Sequence, residues 1–166
     1  MSIIKWIDEN LEKFLLGILL SIMVIVMGIQ VVARYVFNSS LSWSEELTRY
    51  LFVWSAFLSL PYTIKTNIAL KIDQLVQVLP SKVKKIFWII GYIIMVVFFI
   101  YMFRVSIKVV QSSIVSGQKS PALGLPMYLI QLSALVGFGL AIIRTIQVLL
   151  KTIKTPIEVK EGSDCH

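Results

Sequence analysis

"FLLGILLSIMVIVMGIQVVA", residues 14–33, is twenty consecutive positions without a charged side chain. A helix rises 1.5 Å per residue, so this run is roughly 30 Å long, the thickness of a bilayer's hydrocarbon core. It is longer than the apolar region of a signal peptide and leads into "ARYVF" rather than a small-residue cleavage site, so it reads as a retained span. Three more uncharged runs follow. Tyr50 to Ile64 reaches membrane length if its helix begins near Trp43, Ile86 to Phe103 is the third, and Ala122 to Ile143 is the longest. The composition agrees, with 57% hydrophobic and 15% charged residues in 166, against roughly a quarter charged in soluble domains. The predicted fold class is an all-α membrane protein, with four transmembrane helices and interfacial amphipathic helices. The spans are expected at about 14–33, 43–64, 86–103 and 122–143, in a single four-helix domain over 1–155 with a polar tail over 156–166.

The net charge of +7 does not imply nucleic acid. The basic residues lie between apolar runs and in the tail, with no dense basic block, and membrane lipid headgroups are their expected counter-charge. The single cysteine, Cys165, stands beside the single histidine, His166, so no disulfide framework and no His-ligated centre is expected, and no cofactor. Lys5, Lys13, the five lysines from Lys65 to Lys85, Arg144, Lys151, Lys154 and Lys160 fall on one side of the four runs; Arg34, Arg49, Arg104, Lys108 and Lys119 fall on the other. The positive-inside rule then places both termini in the cytoplasm.

The connecting segments carry patterns of their own. Ile3, Ile4, Ile7, Leu11 and Phe14 recur at helical spacing against Lys5, Asp8, Glu9 and Glu12, which predicts an N-terminal helix lying on the membrane surface. Ile68, Ile72, Leu75, Val76 and Leu79 repeat the pattern up to Pro80 and predict a second. The third run continues without proline to about residue 115, with Arg104, Lys108 and Gln111 on one face, and is expected to project beyond the outer surface. Gly117 ends it, and Ser120 and Pro121 read as the start of the fourth helix, which Pro126 can shift or kink.

The densest polar cluster is "ARYVFNSSLSWSEELTRYLFVW", residues 33–54. "SWSE" fits a capping box in which Ser42 and Glu45 satisfy each other's backbone N–H groups. Glu45 and Glu46 complement the macrodipole, and Arg49 lies within reach of both along the helix. Arg34, Trp43, Glu45, Glu46 and Arg49, together with Arg104 and Lys108, are the candidate structural and partner-interface residues. No catalytic or metal-binding set is expected, because no nucleophile and base or paired histidines are present.

"QVVARYVFNSSLSWSEELTRYLFVWSAFLSLPY" (30–62), "LKIDQLVQVLP" (70–80) and "ALGLPMYLIQLSALVGFGL" (122–140) resemble the small, Q-type (DctQ-like) membrane subunit of tripartite ATP-independent periplasmic (TRAP) transporters. The RYVF, W-x-EEL, R and FVW series carries most of the likeness. Ala69 and Leu135 depart from it, standing where the family often has histidine and proline. The resemblance implies an inner-membrane accessory subunit that braces a large, multispanning, elevator-type permease. It also implies a periplasmic substrate-binding protein as second partner, and sodium-coupled uptake of an organic anion such as sialic acid or a dicarboxylate. The residues themselves fit an accessory role, since the middles of the four predicted spans carry no charge, whereas a transport site needs polar groups at depth. Ser133, Gly137 and Ala141 form a small-residue ridge that is a contact surface, within the chain or with a partner. Two other classes compare less well. A four-span cation exporter lacks its intramembrane carboxylate here, and a structural subunit of another inner-membrane complex shares the pattern but not the motif series.

Overall fold

A computed structural model describes residues 3–38, 41–66 and 81–154. They form four helices: α1 Ile3–Val36, α2 Ser42–Lys65, α3 Ser81–Ser116 and α4 Tyr128–Lys154. Glu12–Val36, Lys85–Ser116 and Tyr128–Lys154 are long and apolar enough to cross a membrane. The 24-residue α2 is not among them; Glu45, Glu46 and Arg49 occupy its first two turns, and Ser, Thr, Tyr and Pro61 dilute the rest.

The substantial packing runs from α1 to α2, α2 to α4 and α4 to α3. The helices therefore make a row in the order α1, α2, α4, α3, with α1 and α3 at its two edges. Pairs of contacts give the directions. Tyr50 meets Met127 and Phe57 meets Gly137, so α2 and α4 run parallel. Lys85 meets Ile153 and Phe103 meets Gly139, so α3 runs antiparallel to α4. A core of Ile64, Phe99 and Ala141 lies where α2, α3 and α4 meet, flanked by Leu60, Met95, Phe138, Ile142 and Val148. The rings of Phe57 and Phe99 close on Phe138 from its two neighbours, at centroid distances of 5.4 and 6.2 Å.

Small residues let α2 and α4 approach. Ser133, Gly137, Ala141 and Thr145 recur every fourth position of α4 and are all buried. The ridge is therefore an internal contact of the chain. Pro61, inside α2, has no N–H to offer the carbonyl four residues earlier, Phe57 O. That carbonyl lies against Gly137, where an added Cβ would meet Phe57 O and Cβ at 2.7 Å. The missing hydrogen bond on one helix and the missing side chain on the other occupy the same spot.

Three expectations are corrected. The N-terminal amphipathic segment is the first turns of α1, which runs unbroken from Ile3, and not a separate surface helix. The fourth helix begins at Tyr128 rather than near Ala122. Gly124 adopts φ +66°, and a helix starting at Pro121 would hold Pro126 in its interior, so the chain makes a tight hairpin first. In it Lys119 pairs with Pro126, Ser120 N–H donates to Leu125 O, and Met127 N–H donates to Gln118 O. The capping box does not form, because Leu41 occupies the cap position with no side-chain bond and Ser44 Oγ turns back to Leu41 O.

α3 ends after Ser116, at Gly117 with φ +60°. Gln118 is bonded to Met127, and Met127 Sδ lies 3.9 Å from the hydroxyl of Tyr50, in the early turns of α2. The end of α3 is thus level with the start of α2. The second expected amphipathic helix, over residues 68–79, lies outside the described residues.

Candidate functional site

Glu45 and Glu46 are adjacent in sequence and point to different neighbours, because successive helical positions are about 100° apart. Glu45 turns to α1, where Gln30 Nε2 donates to its Oε1 at 2.8 Å. Glu46 turns to the hairpin before α4. The backbone N–H groups of Ala122 and Leu123 both donate to its Oε2 at 2.9 Å, and the Tyr50 hydroxyl donates to its Oε1. Only 8% of Glu46 is exposed. A carboxylate accepting two backbone amides and a phenol satisfies donors that the two-glycine hairpin would otherwise leave open. Through these two side chains the start of α2 ties α1 on one side and the approach to α4 on the other.

At the opposite end a second tie joins α1 to α4. Arg144 Nε donates to Glu12 Oε1 at 2.7 Å, and Arg144 Nη1 donates to Gln147 Oε1 at 2.8 Å. Glu12 is 3% and Arg144 9% exposed. A buried pair of this kind contributes little over an apolar contact, but losing one member strands the other charge. Lys85 Nζ donates to the Ile153 carbonyl at 3.1 Å and fastens α3 to the last turn of α4.

Of the residues expected to form a partner interface, Glu45 and Glu46 are thus bound within the chain. Arg34, in the last turn of α1 where a cation suits the helix dipole, is exposed, as are Trp43 and Arg49. Arg49 makes no ion pair with either glutamate among the described residues. Arg104 and Lys108 stand apart, exposed on α3. Sequence reasoning missed Glu12, Arg144 and Tyr50. The Arg144–Glu12 bond joins positions 132 apart and the Glu46 bonds to the hairpin join positions 76 and 77 apart, so no local spacing signals those, whereas Tyr50 lies four residues after Glu46, a helical spacing that could have marked their bond. The only hint for Arg144 was that it ends the longest uncharged run.

The arrangement fastens helices at both ends of a row and leaves its outer faces apolar. Phe14, Val24 and Val36 on α1 are 67, 64 and 67% exposed, and Ile94, Val97 and Tyr101 on α3 are 62, 63 and 63% exposed. Comparison with known proteins gives this geometry a context. The family model of the DctQ component of tripartite ATP-independent periplasmic transporters matches residues 23–155. The isethionate TRAP transporter permease protein DctMQ of Oleidesulfovibrio alaskensis is 31% identical over 153 residues, 88% of this chain and 24% of that one. The C4-dicarboxylate TRAP transporter small permease protein DctQ of Rhodobacter capsulatus is 30% identical over 109 residues, 66% of this chain and 48% of the relative. The sialic acid TRAP transporter permease protein SiaT of Haemophilus influenzae is 32% identical over 81 residues, 49% of this chain and 12% of the relative. The chain spans less than half the length of each of these three relatives.

Proposed function

Because this chain belongs to the DctQ component family of tripartite ATP-independent periplasmic transporters, we propose that it is the fixed scaffold of its transporter. It holds a large, multispanning permease subunit in the inner membrane while that subunit moves. Components of this family are parts of transporters and not enzymes. In this reading α2 is a fourth span beside the three apolar helices, both termini face the cytoplasm, and the exposed end near the Glu46 hairpin helps dock a periplasmic substrate-binding protein. The cargo is an organic anion, such as sialic acid or a dicarboxylate, taken up with sodium; the relatives' names support that class.

The observation that carries the proposal is the row of helices. A four-helix protein that worked alone would close around a core, as bundles do. Here the edge helices α1 and α3 share no substantial contact, so two long apolar faces remain for other surfaces. Hydrogen-bonded ties at both ends hold the row in one shape. A rigid slab with open faces suits a part against which another part moves.

Uptake by a strain lacking this chain, but retaining the large permease and the binding protein, is the test. The proposal expects no sodium-driven uptake until the chain is supplied again. Uptake at the parental rate without it would overturn the scaffold role.

A further inference from the structure

The contacts at the top of α3 set the depth of its two cations. The end of α3 is level with the first turns of α2, and Arg104 and Lys108 lie twelve and eight residues before Ser116. At 1.5 Å per residue they stand roughly 18 and 12 Å below that end. A second line of contacts agrees. Phe103 meets Gly139, and Gly137 meets Phe57, which lies near the middle of α2. Arg104 and Lys108 are therefore beside the middle of α2 and not above it.

Their direction is equally clear. α3 buries Tyr92, Phe99, Ser106, Val110 and Ser113, and its substantial contact is with α4. Arg104 and Lys108 are exposed and make no ion pair among the described residues. No Asp or Glu occurs anywhere in α3. Below them the same outward side of the helix is an open apolar face of Ile93, Ile94, Val97, Phe98 and Tyr101. If α2 spans the membrane, this side faces the bilayer with two unneutralised cations near its middle. Charges at that depth are costly and are normally found against a protein partner or a water-filled cavity.

We propose that the outward face of α3 is the seam on which the large permease subunit packs, and that this subunit presents a carboxylate side chain to Arg104 and Lys108. The inference rests on the scaffold reading, and it adds which edge of the row is used and what chemistry meets it. The apolar face packs against the facing helix, while the two cations fix its register, as a polar pair does in other helix interfaces. The α1 edge has no corresponding charged pair in its apolar stretch, where residues 14–33 are uncharged, and remains for lipid.

The test uses the complex with the cognate large permease, coexpressed and held in nanodiscs. Benzoylphenylalanine in place of Tyr101 should crosslink to the large subunit, and in place of Val24 on α1 to lipid. Arg104→Gln with Lys108→Gln should lower the copurified large subunit at least fivefold while leaving the melting of the isolated chain unchanged. Arg104→Lys should retain most of it. A phospholipid adduct as the sole product at Tyr101, or unchanged copurification of the double variant, would overturn the proposal. Crosslinking to the permease from Val24 and not from Tyr101 would place the seam on the other edge, leaving the scaffold reading intact. If the unaltered chain does not copurify with the permease at all, the scaffold reading itself fails.

Discussion

Gly137→Ala adds one methyl group where the row of helices is tightest. The new Cβ would lie 2.7 Å from Phe57 Cβ, 2.7 Å from Phe57 O and 3.0 Å from Phe57 C, whereas carbon atoms attract best at about 3.5–4.0 Å. The two helices must then separate by roughly 0.8 Å. Two of the three obstructing atoms are backbone, so no side-chain rotation relieves them. Overpacking of this kind costs about 1–3 kcal/mol. The opposing term is helix propensity, which favours alanine over glycine by about 0.8–1.0 kcal/mol. With three close contacts the steric cost falls in the upper half of its range and wins, leaving a net loss of roughly 1–2 kcal/mol. For a chain of this size that lowers the melting midpoint by roughly 2–8 °C. Gly28→Ala on α1 is the control, because a Cβ there meets nothing within 4 Å, and it should melt at or above the parent. Tryptophan fluorescence during heating of the detergent-solubilised protein reads both. Gly137→Ala melting as high as the parent would refute the close approach of α2 and α4. Pro61→Ala gives a further check, since a restored N–H draws the Phe57 carbonyl back into its helix and should relieve part of the Gly137→Ala loss.

Glu46→Ala should free the hairpin before α4, so that the amides of Ala122 and Leu123 exchange with deuterium at least tenfold faster; Glu46→Gln, which keeps one acceptor oxygen, should preserve most of the protection. Arg144→Leu strands the buried Glu12 carboxylate and should cost about 3–5 kcal/mol, while the double change Glu12→Leu with Arg144→Leu should recover most of it in a thermal unfolding comparison. Gln131→Leu removes a buried carbonyl oxygen that has no hydrogen-bond partner among the described residues and should leave the melting midpoint unchanged or raise it, by up to about 1 kcal/mol of stability.

What was legible in the sequence was local. Gly117 announced the end of α3 because a left-handed residue is needed there and glycine adopts it freely. The small-residue period of α4 announced a contact, but its partner was not written nearby. Phe57 lies 80 positions before Gly137, and its carbonyl is available only because of Pro61. The start of α4 was ambiguous for the opposite reason, since Pro121 and Pro126 can each stand at a helix start, and the hairpin geometry puts the start after both, at Tyr128. "SWSE" has the letters of a capping box, but the helix begins one residue earlier, with Leu41 at the cap, and the Glu45 carboxylate is taken by Gln30 of α1. Which residues stand level with Arg104 was not legible, because an apolar run is read one helix at a time. The offset between α3 and α2 is set by which residues of α4 they share.

The central claim is that this chain supports transport without holding a transport site. It is tested most directly by the sodium and substrate dependence of uptake in proteoliposomes containing the large permease and the binding protein. Gly137→Ala, Glu46→Ala and Arg144→Leu damage the scaffold at three separate points. Each should lower the maximal rate in proportion to the complex that survives, and leave both half-maximal concentrations within about twofold of the parent, roughly 0.4 kcal/mol. A tenfold shift in the half-maximal sodium or substrate concentration in any of the three, with the complex intact, would place a coupling or substrate site in this chain and contradict the account.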